Sequence, residues 1–118
     1  MKRILIIDDD ENMRVMIKTV LKSSGYETLE ADNGEDALEK IKEQLPDLII
    51  SDVMMANMNG FLLREAVKED PKTARIPFIL MTGLAMNAGA WKADPQVEYI
   101  EKPFIMPDLI AIMEKKLL

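Results

Sequence analysis

The chain has no cysteine and no histidine. The first absence removes disulfide and thiol chemistry, and the two together exclude a zinc centre and a histidine-based catalytic triad. No apolar stretch approaches the roughly 20 residues of a membrane span, and the opening Met1-Lys2-Arg3-Ile4 runs into strand-like sequence without a signal-peptide pattern. A cytoplasmic location with no membrane contact is therefore expected. Positive charge is also scarce: 15 Lys and Arg against 21 Asp and Glu give −6 at pH 7, which argues against direct binding to nucleic acid or to an anionic membrane surface. Protein partners and small phosphorylated donors suit that balance better. With 118 residues and 48% hydrophobic content, residues 1–118 are read as one domain, long enough to bury a core.

What the chain does have is acid in two telling places. Asp8-Asp9-Asp10-Glu11 follows the apolar run Ile4-Leu5-Ile6-Ile7, and Asp52 follows Leu48-Ile49-Ile50-Ser51. If the two runs are neighbouring parallel strands, three carboxylates meet at one end of a sheet. Two such charges about 5 Å apart repel by about 3 kcal/mol at an effective dielectric of about 20. A cluster of that kind needs a cation among its oxygens or the uptake of protons, so the pattern predicts a divalent-metal site. Taken alone, the same acids also suit a helix N-terminus, where they complement the exposed amides and the dipole.

Strand-like runs alternate with amphipathic segments. From about Glu11 to Ser24, Met13, Met16, Ile17, Val20 and Leu21 fall on one helical face, and Gly25 stops the helix. Tyr26 to Ala31 reads as a short, more polar strand suited to a sheet edge. Asp32-Asn33-Gly34 then supplies a turn and cap for a helix with Ala37, Leu38, Ile41 and Leu45 inward, closed by Pro46. After the strand Leu48–Ser51 come a loop over Met54–Gly60 and a helix from about Phe61 to Glu69, ended by Asp70-Pro71. Phe78–Met81 and Val97–Ile100 are the fourth and fifth strands, and a final helix from about Met106 carries Leu109, Ile110, Met113 and Leu117 on one face. Strands alternating with about five helices predict an α/β fold with a parallel sheet covered on both faces. In an open sheet of order 2-1-3-4-5 the order reverses between the first and third strands, and the functional crevice lies beyond the strand ends there. Asp8, Asp9 and Asp52 land at that crevice.

The segments Ile6-Ile7-Asp8-Asp9-Asp10, Ser51-Asp52-Val53-Met54-Met55, Met81-Thr82-Gly83 and Lys102-Pro103-Phe104 follow in order, each at a strand end. Together they resemble the receiver domain of two-component response regulators, of the single-domain chemotaxis type, across the whole chain. The resemblance implies a flavodoxin-like doubly wound (βα)5 fold, the source of the crevice rule just used, and a phosphorylation-activated switch. It implies that Asp52 is the phosphoacceptor. It also implies that Mg2+, with Mn2+ as a substitute, is held by Asp9, Asp52 and the backbone carbonyl of Met54, with Asp8 holding one of its waters. Lys102 is then the counter-charge to the phosphoryl oxygens, and Thr82 and Tyr99 form the conformational switch. The Lys102-Pro103 bond is expected to be cis. The expected donor is a sensor histidine kinase or histidine phosphotransfer protein, or a small donor such as acetyl phosphate. The expected output is a downstream protein target or an output domain following Leu118. Such a domain catalyses only its own phosphorylation and dephosphorylation, so it is not an enzyme in the ordinary sense.

Each residue also has a plainer reading: Thr82 as a turn or cap, Tyr99 as a half-buried strand aromatic, Met54-Met55 as gap filling, Lys102-Pro103 as a turn. The chain also departs from the family pattern. Ala56 replaces the usual proline, Asn59 stands before Gly60 where an acid or another polar residue is common, and Gly83 replaces the commoner alanine. The fourth helix, within Leu84–Pro95, is expected to be short or mobile because of Asn87, Gly89 and Pro95. Apolar Met54 and Leu84 predict a long-lived acyl phosphate, and Leu84, Met86, Trp91 and the final helix are read as a partner surface. Three other functions compete. One is a pseudo-receiver binding module that is never phosphorylated. Another is an aspartate-nucleophile phosphatase acting through Asp8 and Asp10, for which a cap domain and a downstream acid pair are missing. The third is a flavin carrier, for which no hydroxyl- and glycine-rich loop follows the first strand.

Overall fold

A computed structural model describes residues 1–55, 58–83 and 96–118. The strands are β1 (Arg3–Ile7), β2 (Glu27–Ala31), β3 (Leu48–Asp52), β4 (Phe78–Thr82) and β5 (Val97–Glu101). Among the described residues the helices are α1 (Glu11–Ser23), α2 (Gly34–Glu43), α3 (Gly60–Glu69) and α4 (Met106–Leu117). The strands form one parallel sheet in the order β2-β1-β3-β4-β5. The expected helix within Leu84–Pro95 lies outside the described residues, as do Ala56, Met86 and Trp91.

The three central strands, β1, β3 and β4, are the unbroken apolar runs of the sequence, and nearly all their residues are buried. Alternation along each strand divides the core between the two faces of the sheet. Leu5, Ile7, Ile49, Phe78 and Leu80 pack with Ala37 and Ile41 of α2 and Leu63 and Val67 of α3. Ile4, Ile6, Ile50, Ile79 and Met81 pack on the other face with Ile17 and Leu21 of α1 and Leu109 and Met113 of α4. The more polar β2 takes an edge, as its composition predicts.

Local chemistry sets the element ends. Asp10 caps α1 by accepting the Asn12 amide, Asn33 caps α2 through the Asp36 amide, and Asn59 caps α3 through the Leu62 amide. Gly25, at φ 92°, closes α1: its amide reaches Lys22 O at 3.1 Å and the Tyr26 amide reaches Leu21 O at 3.0 Å. Two residues expected to point inward do not. Met16 is 49% exposed, because the buried stripe of α1 centres on Ile17 and Leu21 and Met16 lies beyond its edge. Leu45 is 50% exposed, because α2 ends at Glu43 and Gln44 is already extended, so helical spacing no longer directs the side chain.

Candidate functional site

Parallel pairing of β1 with β3 brings the residue after Ile7 beside the end of β3. Asp8 is fully buried, Asp52 is 8% exposed, and Asp9 turns outward at the mouth. Carboxylate oxygens of the three lie within 4.8 Å of one another. The acidic run thus divides: Asp10 caps the helix, while Asp8 and Asp9 gather with Asp52 at the crevice, so the helix-cap reading accounts for Asp10 and not for the other two.

Lys102, just past β5, closes the other side of the site. Its Nζ lies 3.3 Å from Asp8 Oδ2 and 3.4 Å from Asp52 Oδ2. The Lys102 amide donates to Thr82 O at 2.7 Å, which ties the loop after β5 to the end of β4. The Lys102–Pro103 peptide is cis. Burial pushes the Asp8 carboxyl above its ordinary value and Asp52 adds to the push, against the Asp10 amide and Lys102, which hold it down. Burial also works against the charge on Lys102, but the attraction of Asp8 and Asp52, with hydrogen bonds to both, outweighs it and leaves the ammonium's pKa raised.

Backbone packing fixes the end of β3. The Val53 amide donates to Met81 O at 3.0 Å and the Gly60 amide to Val53 O at 2.9 Å. At Gly60 a Cβ would sit 2.6 Å from Asp52 O and 2.8 Å from Leu80 Cδ2, so only glycine lets α3 start this close to the strand. Thr82 ends β4 half-buried, and Tyr99 is half-buried in β5 opposite Leu80, against the α2 and α3 side of the core. The Met54 side chain is 72% exposed, so it does not fill a gap, whereas Met55 packs against the core.

A set of oxygen donors this tight, one belonging to a wholly buried carboxylate, fits a small hard divalent cation and not a soft metal. One contributor to the site was not singled out in the sequence. Arg14 donates from Nη1 to Asp8 O at 2.7 Å. Its place one helical turn after the acids is a signal, but a basic residue on an amphipathic helix ordinarily faces solvent.

A family profile described as "Response regulator receiver domain" matches residues 4–114. Chemotaxis protein CheY of Thermotoga maritima is 39% identical over 116 residues, covering 97% of this chain and 96% of that protein. Histidine kinase P4 of Formosa agariphila is 43% identical over 109 residues, but the matched stretch is 86% of this chain and only 7% of the kinase. Among solved structures, chemotaxis protein CheY4 of Vibrio cholerae superposes with TM-score 0.91 at 30% identity, covering 99% of both chains. Response regulator TrrA of Thermotoga maritima, solved in complex with Mg(2+)-BeF, does so with TM-score 0.84 at 34% identity over 100% of both. The profile takes in all four strand-end segments, and the sheet order is that of a doubly wound flavodoxin-like protein. This chain therefore belongs to the response regulator receiver domains of two-component signalling, a family of signalling switches.

Proposed function

We propose that residues 1–118 form a single receiver domain that is switched on when Asp52 accepts a phosphoryl group from a phosphohistidine, on a sensor histidine kinase or a histidine phosphotransfer protein. The observation that carries this reading is the meeting of Asp8, Asp9 and Asp52 oxygens within 4.8 Å, with the Lys102 ammonium 3.4 Å from Asp52. In the transfer an Asp52 carboxylate oxygen attacks phosphorus in line with the P–N bond. The P–O bond forms as the P–N bond breaks, and the imidazole nitrogen leaves with the electron pair, giving an aspartyl phosphate and free histidine. A carboxylate is a weak nucleophile, so positioning and charge neutralisation supply most of the rate.

Asp8, Asp9, Asp52 and the backbone carbonyl of Met54 would hold Mg2+, or Mn2+ in its place; when bound, the ion neutralises charge on the phosphoryl oxygens. The Mg(2+)-BeF complex of the TrrA relative supports that choice of ion. Lys102, a compact point charge already aimed at Asp52, exchanges a carboxylate contact for the incoming phosphoryl oxygens. The Thr82 hydroxyl donates to a phosphoryl oxygen from the end of β4, and Tyr99, on the adjacent β5, follows it inward. The altered face then engages a downstream protein or an output domain in the cytoplasm. The domain's chemistry is confined to its own phosphorylation and dephosphorylation. Among the described residues no helix is long and apolar enough to cross a membrane.

Labelling with acetyl phosphate, or binding of the phosphoryl analogue beryllium fluoride, tests this reading. Magnesium-dependent modification of the native chain, lost in Asp52→Asn, is the expected result. A native chain that ignores both reagents is a binding module without phosphorylation, and label retained in Asp52→Asn moves the acceptor elsewhere.

A further inference from the structure

Two of the site's three acids are held by burial: Asp8 is enclosed and Asp52 lies within β3. Asp9 is exposed and lies two residues beyond Ile7, the last residue that β1 pairs with the sheet. Its carboxylate is not enclosed as those two are, so its position depends on the two peptides that flank it: the Asp9–Asp10 peptide is held by the Asp10 amide, which donates to Asp8 Oδ1 at 2.9 Å, and the Asp8–Asp9 peptide by its own contacts. The Asp8 amide donates to Ala31 O at 3.2 Å, and the Asp8 carbonyl accepts from Arg14 Nη1 at 2.7 Å. The second of these bonds fixes the plane of the peptide that leads into Asp9.

Arg14 is itself held in place. Its side chain is 16% exposed, and its Nε meets Glu30 Oε1 at 3.3 Å. The other Glu30 oxygen takes Lys18 Nζ at 2.8 Å, and Lys40 Nζ donates to the Glu30 carbonyl at 2.5 Å. The guanidinium is thus a rigid fork between a carboxylate on the edge strand β2 and the peptide at the end of β1, a task suited to arginine's planar, multiply donating head.

We infer that Arg14, clamped by Glu30, is a positioning residue that aims the Asp9 carboxylate into the site and so raises divalent-cation affinity without touching the cation. The inference rests on the proposed magnesium site at Asp8, Asp9 and Asp52. It makes a prediction opposite in sign to simple electrostatics. Deleting a positive charge beside an acidic cluster strengthens attraction for Mg2+ if charge alone matters. Deleting a positioning residue weakens it, by about tenfold if Arg14 acts as ligand-supporting groups usually do.

The test is Mg2+ affinity by isothermal titration calorimetry for the native chain, Asp9→Asn, Arg14→Met and Arg14→Lys, with urea unfolding in EDTA alongside. Arg14→Met keeps the apolar stem and removes both charge and donors. The expected result is Mg2+ binding about tenfold weaker in Arg14→Met, with a smaller loss in Arg14→Lys, which keeps the charge but not the two-headed fork. Should Arg14→Met not fold, Arg14→Lys decides the matter, since its charge is unchanged and only geometry can alter its affinity. Native or tighter Mg2+ binding by the folded variants, in a chain where Asp9→Asn binds weakly, overturns the inference and leaves the magnesium site standing. Failure of the native chain to bind Mg2+, or indifference of binding to Asp9→Asn, overturns the site and the inference with it. In 15N spectra recorded in EDTA, displaced Asp9 and Asp10 amides with an otherwise native pattern are expected for Arg14→Met; unmoved amides there overturn the positioning role.

Discussion

Replacing the buried Asp8 with asparagine should make the metal-free protein more stable. Asp8 is fully buried, with Asp52 and Asp9 oxygens within 4.8 Å and Lys102 Nζ at 3.3 Å. At an effective dielectric of about 20, each carboxylate repulsion is about 3 kcal/mol and the Lys102 attraction about 5 kcal/mol, before desolvation of Asp8 is counted against the charge. Solvent screens the share of the exposed Asp9. Lys102 is not orphaned by the change, because Asp52 remains 3.4 Å away, and an asparagine Oδ1 still accepts the Asp10 amide. The raised pKa of Asp8, caused first by burial, gives the sign: the fold holds the proton more tightly than the unfolded chain does. Ionised Asp8 therefore costs stability as pH rises from its ordinary 3.8 through the raised folded value. The two repulsions together outweigh the one attraction by about 1–2 kcal/mol, so Asp8→Asn should gain about that much at neutral pH. That gain corresponds to about 4 °C or more in Tm. Urea and thermal unfolding in EDTA measure it. In saturating magnesium the order should reverse, because the native chain gains binding free energy that the variant lacks. A variant less stable than the native chain in EDTA at neutral pH would refute the claim that the acids repel one another in the fold.

Glu30 should show the opposite pH behaviour. Its carboxyl is held below the ordinary 4.5 chiefly by its hydrogen bond from Lys18, with Arg14 adding to the effect, so its contribution is complete above 4.5 and lost as pH falls through the lower folded value. The stability gap between native chain and Glu30→Gln should be widest near neutrality and close on acidification; a gap that does not change with pH would count against the pairing. Gly60→Ala forces a methyl to within 2.6 Å of the Asp52 carbonyl, which strand backbone cannot yield cheaply. A loss of about 1–3 kcal/mol is expected in urea unfolding, together with weaker Mg2+ binding as the end of β3 shifts; native-like values of both would show that the close approach imposes no constraint.

Much of this protein can be read from local pattern. Runs such as Ile4–Ile7 and Leu48–Ile50 are strands because they are apolar throughout, and parallel central strands are buried on both faces. Asn33 and Gly25 mark helix ends through chemistry confined to a few residues. With strands and helices alternating, Asp8 and Asp52 must sit at strand ends, and charge repulsion makes their meeting a candidate cation site. Three-dimensional packing decided the rest. Periodicity alone placed Met16 on the buried face of α1, but the width of the buried stripe depends on how closely the helix lies on the sheet, and Met16 is outside it. Only pairing of β1 with β2 brings Glu30 within reach of Arg14, across 16 residues of chain, and only that contact turns an ordinary helical arginine toward the Asp8 carbonyl. Sequence fixes which groups exist and their local geometry, whereas distances between groups far apart in the chain depend on packing, to which no short window of residues has access.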